Sequence, residues 1–280
     1  MATCDPVPLA STPSPARAPD ATARAPAERR RAPIEDDTNP GLLLGAYTYA
    51  ELTACMVAWL PLLALLRVRH HADTVPRIEG RWLRRMARVS TRLSGLWRFE
   101  VEGDAPPDIA SRAYVVVANH QSSADPFLLS FVPWDMRWVA KEELFRVPLT
   151  GWLLWLAGEI PVRRGDRESV AAMMAECRRT LDAGLSVMLF PEGTRSRDGA
   201  LQPFKDGAFQ LAIEAGVPVL PIVVDGTHAC RPKGSLWFGR ARARARVLAP
   251  VPTEGLGPGD VAALRERVRE AIAGSVTRTG

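Results

Sequence analysis

Between Leu42 and Leu66 the chain runs LLLGAYTYAELTACMVAWLPLLALL, twenty-five residues in which Glu51 is the one charge. Wound into a helix, this segment extends about 37 Å, enough for a hydrocarbon core of about 30 Å. A central acid costs about 3 kcal/mol on insertion, and the leucines return about 0.5 kcal/mol each, so the balance favours the membrane. Pro61 predicts a kink or break. The competing reading is the core helix of a soluble protein, which the length of the run disfavours.

The residues that follow extend the membrane expectation. Ile78, Trp82, Met86, Val89, Leu93 and Leu96 recur every three or four positions and stack on one helical face, with Arg81, Arg84, Arg85, Arg88 and Arg92 around and opposite it. A basic amphipathic helix over 76–97 suits a bilayer interface, with its apolar side among acyl chains and its arginines on phosphates. The plain alternative is a stripe packed on the next domain. By the bias of Lys and Arg toward the cytoplasm, the cluster predicts a cytoplasmic-membrane protein whose downstream chain lies on the cytoplasmic side.

Residues 1–40 are mixtures of Ala, Pro, Ser and Arg with almost nothing bulky and apolar, which predicts a disordered tail and does not resemble a secretory signal. The organisation expected is therefore this tail, membrane-associated helices over 41–97 (apolar helix 42–66, amphipathic helix 76–97), and a globular domain over 98–280. Cys4, Cys55, Cys177 and Cys230 have no metal-knuckle or redox-pair spacing, and no metal site is expected. A formal charge of +5 and a pI near 9.4 fit an anionic membrane surface, acidic small molecules or nucleic acid.

From residue 97 short β-rich runs alternate with helical stretches. WRFEVEG, AYVVVAN, MRWVA, EIPVR, SVMLF and VPVLPIVV read as strands, while 167–183, 207–215 and 260–273 read as helices. The fold class is α/β: a mostly parallel or mixed sheet flanked by helices and preceded by the membrane-associated segment. RARARARVL from Arg240 predicts a strand with guanidiniums along one face.

Ligands of such sheets gather at the carboxyl edge, where strands give way to loops. NHQSSAD and FPEGTRS both follow apolar runs, so both motifs can sit on that rim. A free imidazole titrates near pH 6.5 and can accept a hydroxyl proton, the more so when its other nitrogen donates to a carboxylate. His120 and Asp125 lie too far apart in angle to pair along a continuous helix, but a turn between strand and helix can join them, and Pro126 fits the first turn of that helix. Asp125 as a mere helix cap is the plainer reading. In FPEGTRS, Arg195 and the close backbone of Gly193 suit a phosphate, while Glu192 suits a hydroxyl or an arginine.

The two motifs, in this order, resemble the signature blocks of the glycerolipid acyltransferase family, whose best-known members are lysophosphatidic acid acyltransferases. Asn119, His120 and Asp125 match N-H-x-x-x-x-D, and Phe190 to Ser196 match F-P-E-G-T-R-S at every position. GEIPVRR is similar to a second block (Gly158, Ile160, Arg164) and VPVLPIVV to a fourth (Pro218, Pro221), while KEELFRVPLTGW resembles the linking stretch (Lys141, Pro148, Gly151). The resemblance spans about residues 95–250.

It implies that His120, oriented by Asp125, deprotonates a lysophospholipid hydroxyl that attacks an acyl-CoA or acyl-carrier-protein thioester directly, without an acyl-enzyme. Ser122 and Ser123 are then turn formers. It assigns the acceptor's phosphate to Arg164 and Arg195, with Asn119, Glu192, Gly193 and Thr194 around it and Lys141 near phosphate or donor. No cofactor beyond the thioester co-substrate is implied. The partners implied are the lipid bilayer, the lysophospholipid acceptor and the thioester donor. Leu153, Leu154, Trp155 and Leu156 are candidates for an acyl channel. Lysophosphatidic acid is the expected acceptor; a lyso-ornithine lipid or a lysophospholipid with a headgroup is the alternative, as is a non-catalytic lipid-binding protein. No G-x-S-x-G elbow supports a serine hydrolase, no second histidine or acid cluster joins His120 for a metallohydrolase, and sparse aromatic interleaving argues against nucleic acid.

Overall fold

All four residues of Val115–Ala118 are buried, as a strand requires when its sheet is covered on both faces. The computed structural model describes residues 41–231 and 233–276, and the expected disordered tail over 1–40 lies outside them. In chain order the elements are α1 (Gly41–Arg69), α2 (Arg77–Ser94), β1 (Trp97–Glu102), β2 (Val115–Ala118), α3 (Asp125–Leu129), β3 (Met136–Lys141), α4 (Thr150–Ala157) and β4 (Ile160–Val162). There follow α5 (Arg167–Asp182), β5 (Ser186–Leu189), α6 (Gly207–Ala215), β6 (Val219–Asp225), α7 (Thr227–Cys230), β7 (Ala241–Val247) and α8 (Val261–Ser275).

The strands form one mixed sheet in the order β1-β7-β6-β2-β5-β3-β4. Pairing is parallel except between β6 and β7, so β7 and β1 run against the other five strands. Alternation along β2 serves two cores. Val115 and Val117 join Cys177, Phe209, Val268 and Ile272 beneath α5, α6 and α8, while Val116 and Ala118 join Leu128, Leu129, Trp134 and Trp138 on the other face. The expected guanidinium row is present on β7. Ala241, Ala243 and Ala245 are buried, and Arg244 and Arg246 on the opposite face pair with Glu102 of β1, Arg244 reaching Asp225 as well.

α1 and α2 pack on one another and on α4. α1 is long and apolar enough to cross a membrane by length and composition. It runs through Pro61 without the expected break. Glu51, the objection to insertion, turns inward: it accepts hydrogen bonds from Cys55 Sγ at 3.2 Å and from Ser90 Oγ of α2 at 3.3 Å. Leu43, Val57, Leu65 and Val68 stay exposed on α1.

The stripe of α2 departs from expectation. Met86 is buried with Cys55, Leu63 and Leu153, and Trp82 and Val89 pack against that cluster, so protein rather than acyl chain covers most of the face. Of the stripe, only Leu93 is exposed. The arginines are likewise committed in part. Arg81 and Arg84 both pair with Asp135, and the buried Arg84 also donates to the Met136 carbonyl at 2.6 Å. A loop residue some fifty positions downstream thus fixes α2 to the sheet, a partnership that helical periodicity cannot reveal. The candidate acyl-channel residues divide in the same way. Leu153 and Leu156 pack in the cluster with α1 and α2, whereas Trp155 is exposed and meets Phe145 edge-on.

Candidate active site

β2 and β5 are parallel neighbours with Val117 opposite Leu189, so the residues that follow them leave the sheet side by side at its carboxyl edge. His120 and Phe190 meet there, their rings stacked with centroids 4.0 Å apart and planes 16° from parallel.

The polar stretch after β2 turns back sharply enough to close the five-residue gap. The ring N–H at His120 Nδ1 donates to Asp125 Oδ2 at 2.7 Å. The same oxygen accepts the backbone N–H groups of Gln121 at 2.8 Å and Ser122 at 3.0 Å, so the carboxylate organises the loop as well as the imidazole. Asp125 is the first residue of α3, with Ala124 in the capping position, and Pro126 occupies the first turn. Asp125 is fully buried while the His120 side chain keeps 13% of its surface exposed, which leaves the imidazole the accessible member of the pair. Ser122 Oγ donates to the Arg231 carbonyl and accepts from Ala124 N–H.

The FPEGTRS turn holds the backbone of His120 from both sides. Glu192 Oε1 accepts the His120 N–H at 2.9 Å, and the His120 carbonyl accepts the Ser196 N–H at 2.8 Å. This differs from the expected use of Glu192 on a hydroxyl or an arginine: its carboxylate is bound to backbone. Burial raises its pKa to about 7, opposed by the N–H groups of His120 and Gln202 and reinforced by Asp125. Asn119 is likewise engaged by protein. Its amide donates to the Val224 carbonyl at 2.8 Å and accepts the Val224 N–H at 2.7 Å, tying the end of β2 to β6, so the expectation that it binds substrate gives way to a structural bridge.

Gly193 has φ +68°, a region costly for residues with a Cβ, and a Cβ there would lie 3.0 Å from the Lys205 side chain. Thr194 and Arg195 follow on the rim. Lys233 Nζ donates to Thr194 Oγ1 at 3.3 Å and to the Arg195 carbonyl at 3.2 Å. Arg164, just beyond β4, has its pKa lowered by desolvation and by the positive charge of Arg195, with Glu143 acting the other way. The two guanidiniums therefore sit within electrostatic reach, as a shared anionic group would require. Lys141 ends β3 and is paired with Glu143 at 3.0 Å.

Lys205 and Lys233 add positive charge beside the turn and were not found from sequence. Each lies outside the motif blocks, and a lone lysine carries no local pattern. Phe190 and Ser196 were within the matched block, but the ring stack and the backbone clamp they supply depend on the pairing of β2 with β5. Among the described residues no group of three or more His, Cys, Asp or Glu side chains is placed to hold a metal ion.

The family described as Acyltransferase matches residues 98–225. The chain is 39% identical over 220 residues to the 1-acyl-sn-glycerol-3-phosphate acyltransferase alpha of Homo sapiens, covering 76% of this chain and 76% of that protein. It is also 39% identical over 220 residues to the protein of the same name from Ovis aries, covering 76% and 75%. Among solved structures, that of the 1-acyl-sn-glycerophosphate (LPA) acyltransferase PlsC from Thermotoga maritima superposes with a TM-score of 0.65 at 27% identity, over 83% of this chain and 95% of that one.

Proposed function

This chain belongs to the acyltransferase family, and from that premise we propose that it moves a fatty acyl group from acyl-CoA or acyl-carrier-protein to the free hydroxyl of 1-acyl-glycerol-3-phosphate, giving phosphatidic acid. The observation that carries the reading is the 2.7 Å contact between His120 Nδ1 and Asp125 Oδ2 on the rim that also bears Arg195.

With Nδ1–H given to the carboxylate, the unprotonated Nε2 is the atom that accepts the proton of the acceptor hydroxyl. The hydroxyl oxygen attacks the thioester carbonyl carbon as its proton leaves. Collapse of the tetrahedral intermediate expels the thiolate, and the imidazolium returns its proton to sulfur. Asp125 holds the ring's orientation and stabilises the imidazolium. Such general-base assistance supplies about 10²- to 10⁴-fold. Arg164 and Arg195 take the acceptor's phosphate monoester, and the names of the relatives support that acceptor. Glu192, Gly193 and Thr194 act by shaping the turn that presents Arg195.

Both substrates carry long chains and partition into bilayers, and α1 would hold the rim beside them. A catalytic domain on the cytoplasmic face is part of the proposal; the bias of Lys and Arg toward that side supports it through the arginines after α1, and protease accessibility in sealed vesicles tests it. The reaction is tested by incubating purified protein with a panel of lyso-acceptors and one labelled acyl thioester, offered first as the CoA and then as the carrier-protein form. Labelled phosphatidic acid is the expected product. Label found only in an amino-acid lipid or a phosphodiester lipid would reject the acceptor and leave the chemistry standing.

A further inference from the structure

A cavity of about 440 Å³ opens at the amino-terminal edge of the sheet, opposite the rim that carries His120. Its walls include Asp135 and Ser186, which precede or begin β3 and β5, whereas the candidate active site follows the last residues of β2 and β5. β5 is four residues long, so roughly 13 Å of strand separates the two ends. A headgroup held at one cannot touch the other.

Five arginines of α2 line this cavity, Arg77, Arg81, Arg84, Arg85 and Arg88, and one carboxylate, Asp135, faces them. Asp135 takes Arg81 and Arg84. Arg77 donates to the Gly184 carbonyl at 2.9 Å, and the Arg85 guanidinium lies over the Trp82 ring at 4.5 Å; neither contact neutralises a charge. Arg88 is half-buried, and desolvation together with the like charges of Arg85 and Arg92 lowers its pKa, against a smaller opposing pull from Asp135. The cluster is thus electrostatically strained by an excess of positive charge, and an anion relieves that strain.

A second observation points the same way. Trp134 lines the same cavity, its residue is 7% exposed, and its indole N–H is buried without an acceptor. A donor left so costs stability unless a ligand accepts from it. Guanidinium forks and an N–H donor around a polar cavity match the tetrahedral oxygens of phosphate.

We propose that this cavity is a second anion site, distinct from the acyl-transfer rim, that takes a phosphate or diphosphate ester on Arg85, Arg88 and the Trp134 N–H. The ester can be the headgroup of an anionic lipid or a soluble phosphate. The site does not depend on which acceptor the rim uses.

The test uses the full chain in neutral detergent. Pyrophosphate binding is measured by calorimetry at low and high salt, for wild type, for Arg85→Gln/Arg88→Gln, and for Trp134→Phe. The site predicts an affinity that falls with salt, a loss of about tenfold or more in the double variant, since each tenfold is about 1.4 kcal/mol, and a several-fold loss in Trp134→Phe. That last substitution keeps an aromatic side chain but removes the donor together with part of the indole, so melting temperatures are compared alongside: lost binding with a wild-type melt reports the donor, and unchanged binding makes Trp134 purely structural. Vesicles of phosphatidylcholine, with or without phosphatidic acid, separate the sources. Displacement of pyrophosphate by the anionic vesicles alone identifies a lipid headgroup, and its retention identifies a soluble ester. Equal affinity in wild type and double variant, absence of binding in wild type, or binding abolished only by Arg195→Ala overturns the proposal.

Discussion

Glu192 holds His120 by its backbone: the carboxylate oxygen Oε1 accepts the His120 N–H at 2.9 Å, from a turn that is seventy-two residues away in sequence. The imidazole is therefore positioned twice, through its ring by Asp125 and through its main chain by the FPEGTRS turn.

Burial places the Glu192 pKa at about 7, above the ordinary 4.5. The folded state then binds more protons than the unfolded state between those values, so stability is greatest below about pH 4.5 on this account and falls as pH rises to about 7. The slope is at most about 1.4 kcal/mol per pH unit for one such group. Glu159, also buried and raised to about 7, titrates in the same window. Glu192→Gln, which keeps the acceptor oxygen, is expected to reduce the slope of urea-unfolding stability between pH 5 and 7 without abolishing it. An unchanged slope would remove Glu192 from the titration.

His120→Ala is expected to lower kcat by about 10²- to 10⁴-fold while melting temperature and vesicle association hold. Asp125→Asn should approach that loss and also weaken the loop, because the neutral amide oxygen that replaces the carboxylate accepts less strongly from the ring and from two backbone N–H groups. Turnover at saturating substrate and thermal melts separate the two effects. Wild-type kcat in His120→Ala would end the general-base assignment.

Asn119 makes both of its hydrogen bonds with Val224 in a buried setting. Removing them leaves a buried N–H and a buried carbonyl unpaired, at about 1–3 kcal/mol each. Asn119→Ala is therefore expected to lose about 2–4 kcal/mol in chemical denaturation with acceptor KM little changed. The opposite result, intact stability with a large rise in KM, would return Asn119 to the substrate.

Arg164→Ala and Arg195→Ala are each expected to raise KM for a phosphate-bearing acceptor about tenfold or more, as the loss of a charge-assisted hydrogen bond implies. An acceptor lacking the phosphate monoester should not register the change. Lys141→Ala is expected to shift KM less than about threefold, because its ammonium is paired with Glu143 at the surface. Steady-state kinetics with the two acceptors decides.

The sequence by itself determined the elements and the chemistry within reach of each. Four apolar residues from Val115 read as a strand because burial on both faces needs them, the i, i+3, i+4 spacing after Arg77 read as a helix, and the His120–Asp125 pair was legible because one turn joins residues five apart. Tertiary structure decided which polar groups meet across the sheet. Asn119 was expected on substrate and instead bridges to Val224; Glu192 was expected at a pocket and grips a backbone; the stripe of α2 was expected in lipid and packs on α1 and α4, with Arg81 and Arg84 anchored to Asp135. The physical reason is range. Periodicity and turn chemistry act over a handful of residues, whereas the partner of a side chain fifty or a hundred positions distant is set by strand order and by which helix covers which face.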